Sequence, residues 1–407
     1  MRGMTNGLTT GERVAWYRRR RGMSQEVLAG LVGRTSDWLG KIENNRIDLD
    51  RLSVIKLLAD ALDVAVGDLI AEPSLMEWTD ESGMRTMPAV RASLMDYRLI
   101  PPFGRRRTGE PLPLAELDQQ VTQLWDAYQA SRFGFVTGRL PIVLDHLQGA
   151  TEAYDGDDLV ASRRLLGLSY QLAAVQLTKL GEVELAGIAA DRGLSTVRDI
   201  GDATVIGSLF RGVVHAVLAG GRFREAVALT EQAAAHLQPE LRHASPALLS
   251  VYGTLFLAGA MAASRANDAA TAAAFLGEAN EAARRLGGDA NHMWTAFGPT
   301  NVAIHRVATA GELGDIQVAL DLGPRVDTTA MPMERRVRHA LEVARAYSVR
   351  NRTAEALATL LHAERMAPEQ VRYHFLSRQL VLSWIRQQRG RPAANLVDLA
   401  RRLKVLD

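Results

Sequence analysis

Between Thr9 and Ile70 the apolar positions recur at helical spacing in short runs, interrupted at Gly22, Gly33 and Asn44-Asn45. Ser24 precedes one run as an N-cap, with Glu26 in the first turn and Val27, Leu28 and Leu31 predicted on an apolar face. Gly33 ends that helix. Thr35 then caps a second helix carrying Ser36, Asp37, Trp38, Leu39, Lys41, Ile42 and Glu43. A further amphipathic helix follows, with Leu52, Ile55, Leu57, Leu58 and Leu62. Two short helices joined by a glycine turn form a helix-turn-helix arrangement. From 71 to 113 prolines and glycines break the pattern, and a linker with one short helix, Pro88 to Tyr97, is predicted. From Leu114 onward the period is helical almost throughout, and the alternation of a β-sheet is missing.

The long helical region repeats. Segments starting at Gly181, Gly221, Asn267, Gly314 and Asn351 each open with a turn residue and carry Ala at the sixth place: Ala186, Ala226, Ala272, Ala319 and Ala356. Weaker copies start at Gly138 and Gly390, and a second alanine follows at Ala233, Ala279 and Ala363. Gly or Asn accepts the left-handed backbone of a tight helix–helix turn, and a small residue lets the paired helix approach. Such two-helix units bury their apolar faces by stacking, which predicts a solenoid. Gly-x-Phe-x-x-Ala at 221–226 resembles the turn of a tetratricopeptide repeat, although most units are longer than that repeat and lack its Trp and Tyr landmarks. The expected fold is therefore all-α: a five-helix helix-turn-helix domain at 9–70, a linker at 71–113, and a tetratricopeptide-like α-solenoid of about seven helix pairs at 114–407.

Composition changes the picture mainly by exclusion. The chain has 407 residues, 47% hydrophobic and 23% charged, as in soluble globular proteins. There is no cysteine, which removes disulfides, thiolate zinc sites and cysteine nucleophiles. The formal net charge is +2, and only four of the 48 basic residues are lysines, a bias suggestive of a GC-rich genome. Met1 to Thr10 lacks the pattern of a signal peptide. The uncharged stretch Ser245–Ser264 contains Pro246, Gly253, Thr254 and Gly259, and reads as a buried helix rather than a membrane span. A cytoplasmic protein with no membrane association is expected. Metalloprotease, phosphate-loop, dinucleotide and nucleophile-elbow motifs are all missing, and the nine histidines show no metal-ligand spacing. No enzyme activity, metal or cofactor is expected.

The ordered pattern Arg18…Gly22-Met23-Ser24-Gln25-Glu26…Leu28-Ala29…Ile42-Glu43…Leu52…Ile55…Leu58-Ala59…Leu62-Asp63-Val64…Asp68-Leu69 resembles the Cro/phage-repressor (XRE) class of helix-turn-helix domain. The resemblance implies that the helix beginning near Thr35 enters the major groove of double-stranded operator DNA by its N-terminal end. Ser36, Asp37, Trp38 and Lys41 are then candidates for base edges or nearby phosphates, and Asp37 suits cytosine N4. Trp38 offers a face to a thymine methyl or packs on the domain surface. Gln25 is expected on a phosphate, with Asn45 and Arg46 just past the helix doing the same. Glu43 and Arg18 are implied to pair structurally. Arg19, Arg20 and Arg21 fit phosphate contacts or a solvated helix end equally well. Residues 1–70 carry 11 basic and 9 acidic side chains, so one domain binds modestly and a homodimer on paired half-sites is expected.

Tetratricopeptide offsets from each turn place Trp125, Tyr128, Arg132, Gln171, Arg211, His215, Met261, Asn301, Arg338, Arg345, Trp384 and Gln387 on the concave side. Of these, Gln171, Arg211, His215, Asn301, Arg338 and Arg345 are the candidate effector contacts: amides suit a peptide backbone and arginines its carboxylates. Apolar positions of the last repeat (Trp384, Ile385, Leu396, Leu399) are candidate dimer contacts. The domain order resembles peptide-sensing quorum regulators of Gram-positive bacteria and, more closely, long actinobacterial regulators. A peptide-responsive regulator is the first reading. A scaffold that captures a regulatory protein and a sensor of a small secondary metabolite are the alternatives.

Overall fold

A computed structural model describes residues 8–49, 51–64, 66–70, 86–95, 110–387 and 391–406. Among them there is no strand, only an isolated antiparallel bridge between Ala290 and Phe297. The first five helices are α1 (Thr10–Arg20), α2 (Gln25–Leu31), α3 (Ser36–Glu43), α4 (Leu52–Ala61) and α5 (Val66–Ile70). Val14, Leu28, Leu39, Ile42, Ile55 and Leu58 form their shared core. The helices from the sequence pattern are present, but their buried sides differ in detail. Val27, Leu31 and Leu57 are exposed, and α2 buries Leu28 and Ala29 instead.

The short helix expected in the linker is α6 (Met87–Leu94), with Pro88 in its first turn. It is not a free spacer: Met87, Val90 and Leu94 are buried in the core of the first repeats. Tyr97, Arg105–Arg107 and the rest of 96–109 lie outside the described residues, as does the weak repeat start at Gly390.

The remaining helices pair in sequence order. The pairs are α7 (Leu114–Gln129) with α8 (Phe133–Ala153), α9 (Gly156–Lys179) with α10 (Val183–Val197), and α11 (Ala203–Ala219) with α12 (Phe223–Leu237). Next come α13 (Pro246–Arg265) with α14 (Ala269–Leu286), α15 (Pro299–Leu313) with α16 (Ile316–Leu322), and α17 (Met333–Val349) with α18 (Thr353–Met366). A short α19 (Pro368–Tyr373) precedes the last pair, α20 (Phe375–Gln387) and α21 (Ala394–Arg402). Gly181, Gly221, Asn267, Gly314 and Asn351 all have positive φ, between 57° and 91°, as tight helix–helix turns require. The alanine five places after each is buried, at no more than 2% exposure. Gly138 is not a turn; it lies inside α8, and Ser131 (φ 60°) makes the α7–α8 turn. α13, the one described helix long and apolar enough to cross a membrane, is buried over 89% of its apolar window.

The molecule divides into two compact units. One holds α1–α5, the chain from 306 through α16, and α17–α21; the other holds α6–α14 and the chain to 305.

Candidate nucleic-acid interface

The helix-turn-helix is built from local capping. Ser24 Oγ accepts from Val27 N (3.2 Å) to start α2, and Thr35 Oγ1 accepts from Trp38 N (3.2 Å) to start α3. Between them Gly33 has φ 65°, which lets Arg34 N return to Ala29 O at 2.8 Å. α1 lies directly on α3: a Cβ at Gly11 would sit 2.1 Å from Ile42 O. Behind the same end of α3, Glu43 receives both Arg18 Nε (2.5 Å) and Arg18 Nη2 (2.7 Å), and Arg18 Nη1 donates to Met23 O (2.8 Å). Both side chains are buried, and the bond to Glu43 raises the Arg18 pKa. This pair clamps the C-terminal end of α3 and leaves its N-terminal end outward.

At that outer end Thr35 and Asp37 are exposed and Ser36 is half-buried. Asp37 forms an ion pair with Lys41 one turn on, at 2.6 Å. Trp38 is half-buried against the domain core, and the Arg34 guanidinium lies 5.7 Å from its ring centre. Gln25 Nε2 donates to Glu43 (2.8 Å), so its amide is braced by the buried pair. Arg46 is exposed. Asn45 differs from expectation: at φ 56°, its side chain accepts from Thr9 Oγ1 (2.6 Å) and donates to Glu12 (3.2 Å), which ties the loop to α1. Arg21 pairs with Asp63 and Arg20 lies over Trp16, so two of the clustered arginines hold internal contacts.

Residues 10–72 match the family model of a helix-turn-helix domain. No curated protein matches the chain. Two solved structures align over most of their length. The crystal structure of BtubC (BKLC) from P. vanneervenii is 14% identical, with a TM-score of 0.35, over 68% of this chain and 95% of that one. PlcR of Bacillus thuringiensis, crystallised with the peptide PapR7 and DNA, is 12% identical, with a TM-score of 0.27, over 86% and 98%.

This helix-turn-helix domain is seated on α17 and α20 through polar side chains that the sequence pattern did not flag. Asp48, in the loop after α3, accepts from Ser383 and from Ser348 (3.5 Å), and Gln387 Nε2 donates to it at 3.4 Å. Trp384 Nε1 donates to Ser348 Oγ (2.7 Å) and fixes that hydroxyl. Glu12 pairs with Arg386, Gln379 donates to Leu49 O, and Gln387 Nε2 donates to Asn45 O (3.2 Å). Burial pushes the Asp48 carboxyl above its ordinary pKa, and the bonds from Ser383 and Ser348 only partly oppose this. No local signal marked Asp48; its partners lie 300 and 335 residues away.

The predicted concave-face residues are mostly internal. Gln171 exchanges two hydrogen bonds with Ser208, at 2.8 and 2.9 Å, and so joins α9 to α11. Arg211 is 4% exposed, while His215 is half-buried. Asn301 is fully buried and donates to Ala296 O at 2.9 Å. Arg345 is buried and pairs with Glu342 (2.9 Å), towards which Arg338 also points at 3.8 Å. Of the six candidate effector contacts, Gln171, Arg211, Asn301 and Arg345 are thus buried, while His215 and Arg338 keep partial exposure. Trp384, Leu396 and Leu399 are likewise core of the last repeats rather than a free apolar surface.

Proposed function

We propose that the chain is a transcriptional regulator of the XRE, Cro/phage-repressor type, of the actinobacterial kind. Its N-terminal domain binds a double-stranded operator, and its repeat region responds to a peptide effector. The observation that supports this is the mounting of α3: capped by Thr35 at an exposed N-terminus and clamped through Glu43 to Arg18 at the other end. A helix held this way presents Ser36 and Asp37 to base edges without an ordering cost at each encounter. On binding, Asp37 exchanges Lys41 for a base amine, and Lys41 turns to a phosphate. Gln25, braced by Glu43, and Arg46 set the register on the backbone. Trp38 gives its free edge to the groove wall.

A domain with 11 basic and 9 acidic residues over 1–70 has little non-specific attraction for DNA. One short recognition helix also reads too few base pairs to select a genomic site. The chain therefore acts as a cytoplasmic homodimer on paired half-sites, by binding and without catalysis. An effector that favours one arrangement of the repeats shifts the operator-competent fraction.

Selection of the full-length chain against random duplex DNA tests this. The expected result is a two-fold or direct-repeat site. Ser36→Ala combined with Asp37→Ala changes the preferred bases, whereas Gln25→Ala weakens all sites about equally. Unchanged preference in the double variant refutes the assignment.

A further inference from the structure

The segment between α14 and α15 is held firmly at its base. Phe297 is fully buried against Gly253, where a Cβ would sit 1.9 Å from the ring, and Ala290 N donates to Phe297 O (2.8 Å). From that anchor its tip reaches α7, more than 160 residues back in sequence. The indole of Trp294 stacks on Trp125, with ring centres 5.3 Å apart and planes 8° from parallel. Gln129 meets the tip as one amide meets another: its Nε2 donates to Asn291 Oδ1 (2.9 Å) and Trp294 O (3.1 Å), and its Oε1 accepts from Asn291 (2.8 Å).

Two features mark the fit as incomplete. Met293, Trp294 and Ala296 all hold positive φ, between 47° and 52°, although none is glycine. The Trp125 indole N–H is buried and has no hydrogen-bond partner, with Trp125 only 2% exposed. Tyr128 and Phe133 continue the aromatic wall, and the Lys179 ammonium lies 5.7 and 5.5 Å from their ring centres. α7, the start of α8 and the end of α9 thus form an aromatic platform beside an amide and a cation, covered by a strained segment of the same chain.

We propose that Trp125, Tyr128 and Gln129 form a binding site for an aromatic residue of a peptide, and that residues 291–294 occupy it as a displaceable stand-in. A ring stacked on Trp125 with flanking peptide groups on Gln129 reproduces the stacking contact and the amide hydrogen bonds that the tip makes with α7. A ligand in ordinary β-region backbone does so without left-handed residues, and a carbonyl of its own can accept from Trp125 Nε1. Displacing Trp294 frees the segment between α14 and α15, which gives the effector a route to the repeats. This deepens the sensing half of the proposed function and is independent of DNA binding.

Calorimetry on the full-length chain with N-acetyl-tryptophanamide as probe tests it. Trp294→Ala is expected to bind the probe at least about tenfold more tightly than the wild type. Adding Trp125→Leu abolishes the gain, and N-acetyl-alaninamide does not bind. Asn291→Ala, which keeps the indole and breaks the amide pair, gives a smaller gain and covers the case in which Trp294→Ala folds poorly. Near-ultraviolet circular dichroism reads the stacked indoles directly: the coupled signal is present in the wild type, lost in Trp294→Ala, and restored there when the probe stacks on Trp125. A folded Trp294→Ala chain that binds no better than wild type overturns the proposal. So does binding that survives loss of Trp125, or free indole binding as well as the amide probe. A chain that binds probe but selects no operator keeps this site and refutes the regulator reading; operator binding without probe binding does the reverse.

Discussion

Glu43 accepts three hydrogen bonds, two from Arg18 and one from Gln25, with its own side chain 3% exposed. Removing that carboxylate strands a buried guanidinium with Met23 O as its remaining acceptor near that turn. Breaking a buried pair in this way costs about 3–5 kcal/mol. Glu43→Ala is therefore expected to lower the melting temperature of the helix-turn-helix domain before base preference changes. A variant that melts like wild type yet selects a different operator would contradict the structural role. This pairing was legible because a family resemblance carried it, and Ser24 and Thr35 because capping is local. Val27 and Leu31 lie outside the buried stripe of α2, and Leu57 outside that of α4, for a physical reason. α2 has seven residues and α4 ten, too few turns for periodicity alone to separate a buried stripe from its neighbours.

At the scale of elements, packing distances decide which residues are tolerated. α1 crosses α3 at Gly11, where an added Cβ meets Ile42 O at 2.1 Å, and the atom it meets is backbone rather than a pliable side chain. Gly11→Ala is expected to destabilise the domain by about 1–3 kcal/mol, the usual cost of overpacking, as read by urea denaturation. An unchanged midpoint would show that α1 and α3 separate easily. The same logic explains the repeats. Ala186, Ala226, Ala272, Ala319 and Ala356 are buried because each lets its helix approach a partner closely. The turns were found because glycine and asparagine announce positive φ. Gly138 misled for that reason, since Ser131 makes the turn and serine carries no such signal.

In the unit that contains the helix-turn-helix domain, burial raises the pKa of the Asp48 carboxyl in the seam against α17 and α20. Its protonated form is favoured when seated, so the seating contribution is greatest at low pH. It declines as pH rises from the unfolded carboxyl value of 3.8 through the raised folded value. Asp48→Asn is expected to stabilise the seam at neutral pH and to flatten this acid-side dependence. Hydrogen exchange at α1 and residues 44–49 across that pH range is the measurement. Identical profiles for variant and wild type would remove Asp48 as the seat.

The sequence by itself determined the helical class, the caps of α2 and α3, the five tight turns and the small residues that follow them. All of these depend on contacts within a few residues, where composition and spacing are the physics. Tertiary structure alone decided what those helices meet. It buried Gln171, Asn301 and Arg345 inside the repeats instead of along a groove, brought Asp48 to Ser348 and Ser383, and laid Trp294 on Trp125. Each of these pairings joins side chains far apart in sequence within one compact unit. No local period encodes them, because periodicity reports which face of a helix is apolar and not which distant side chain that face meets.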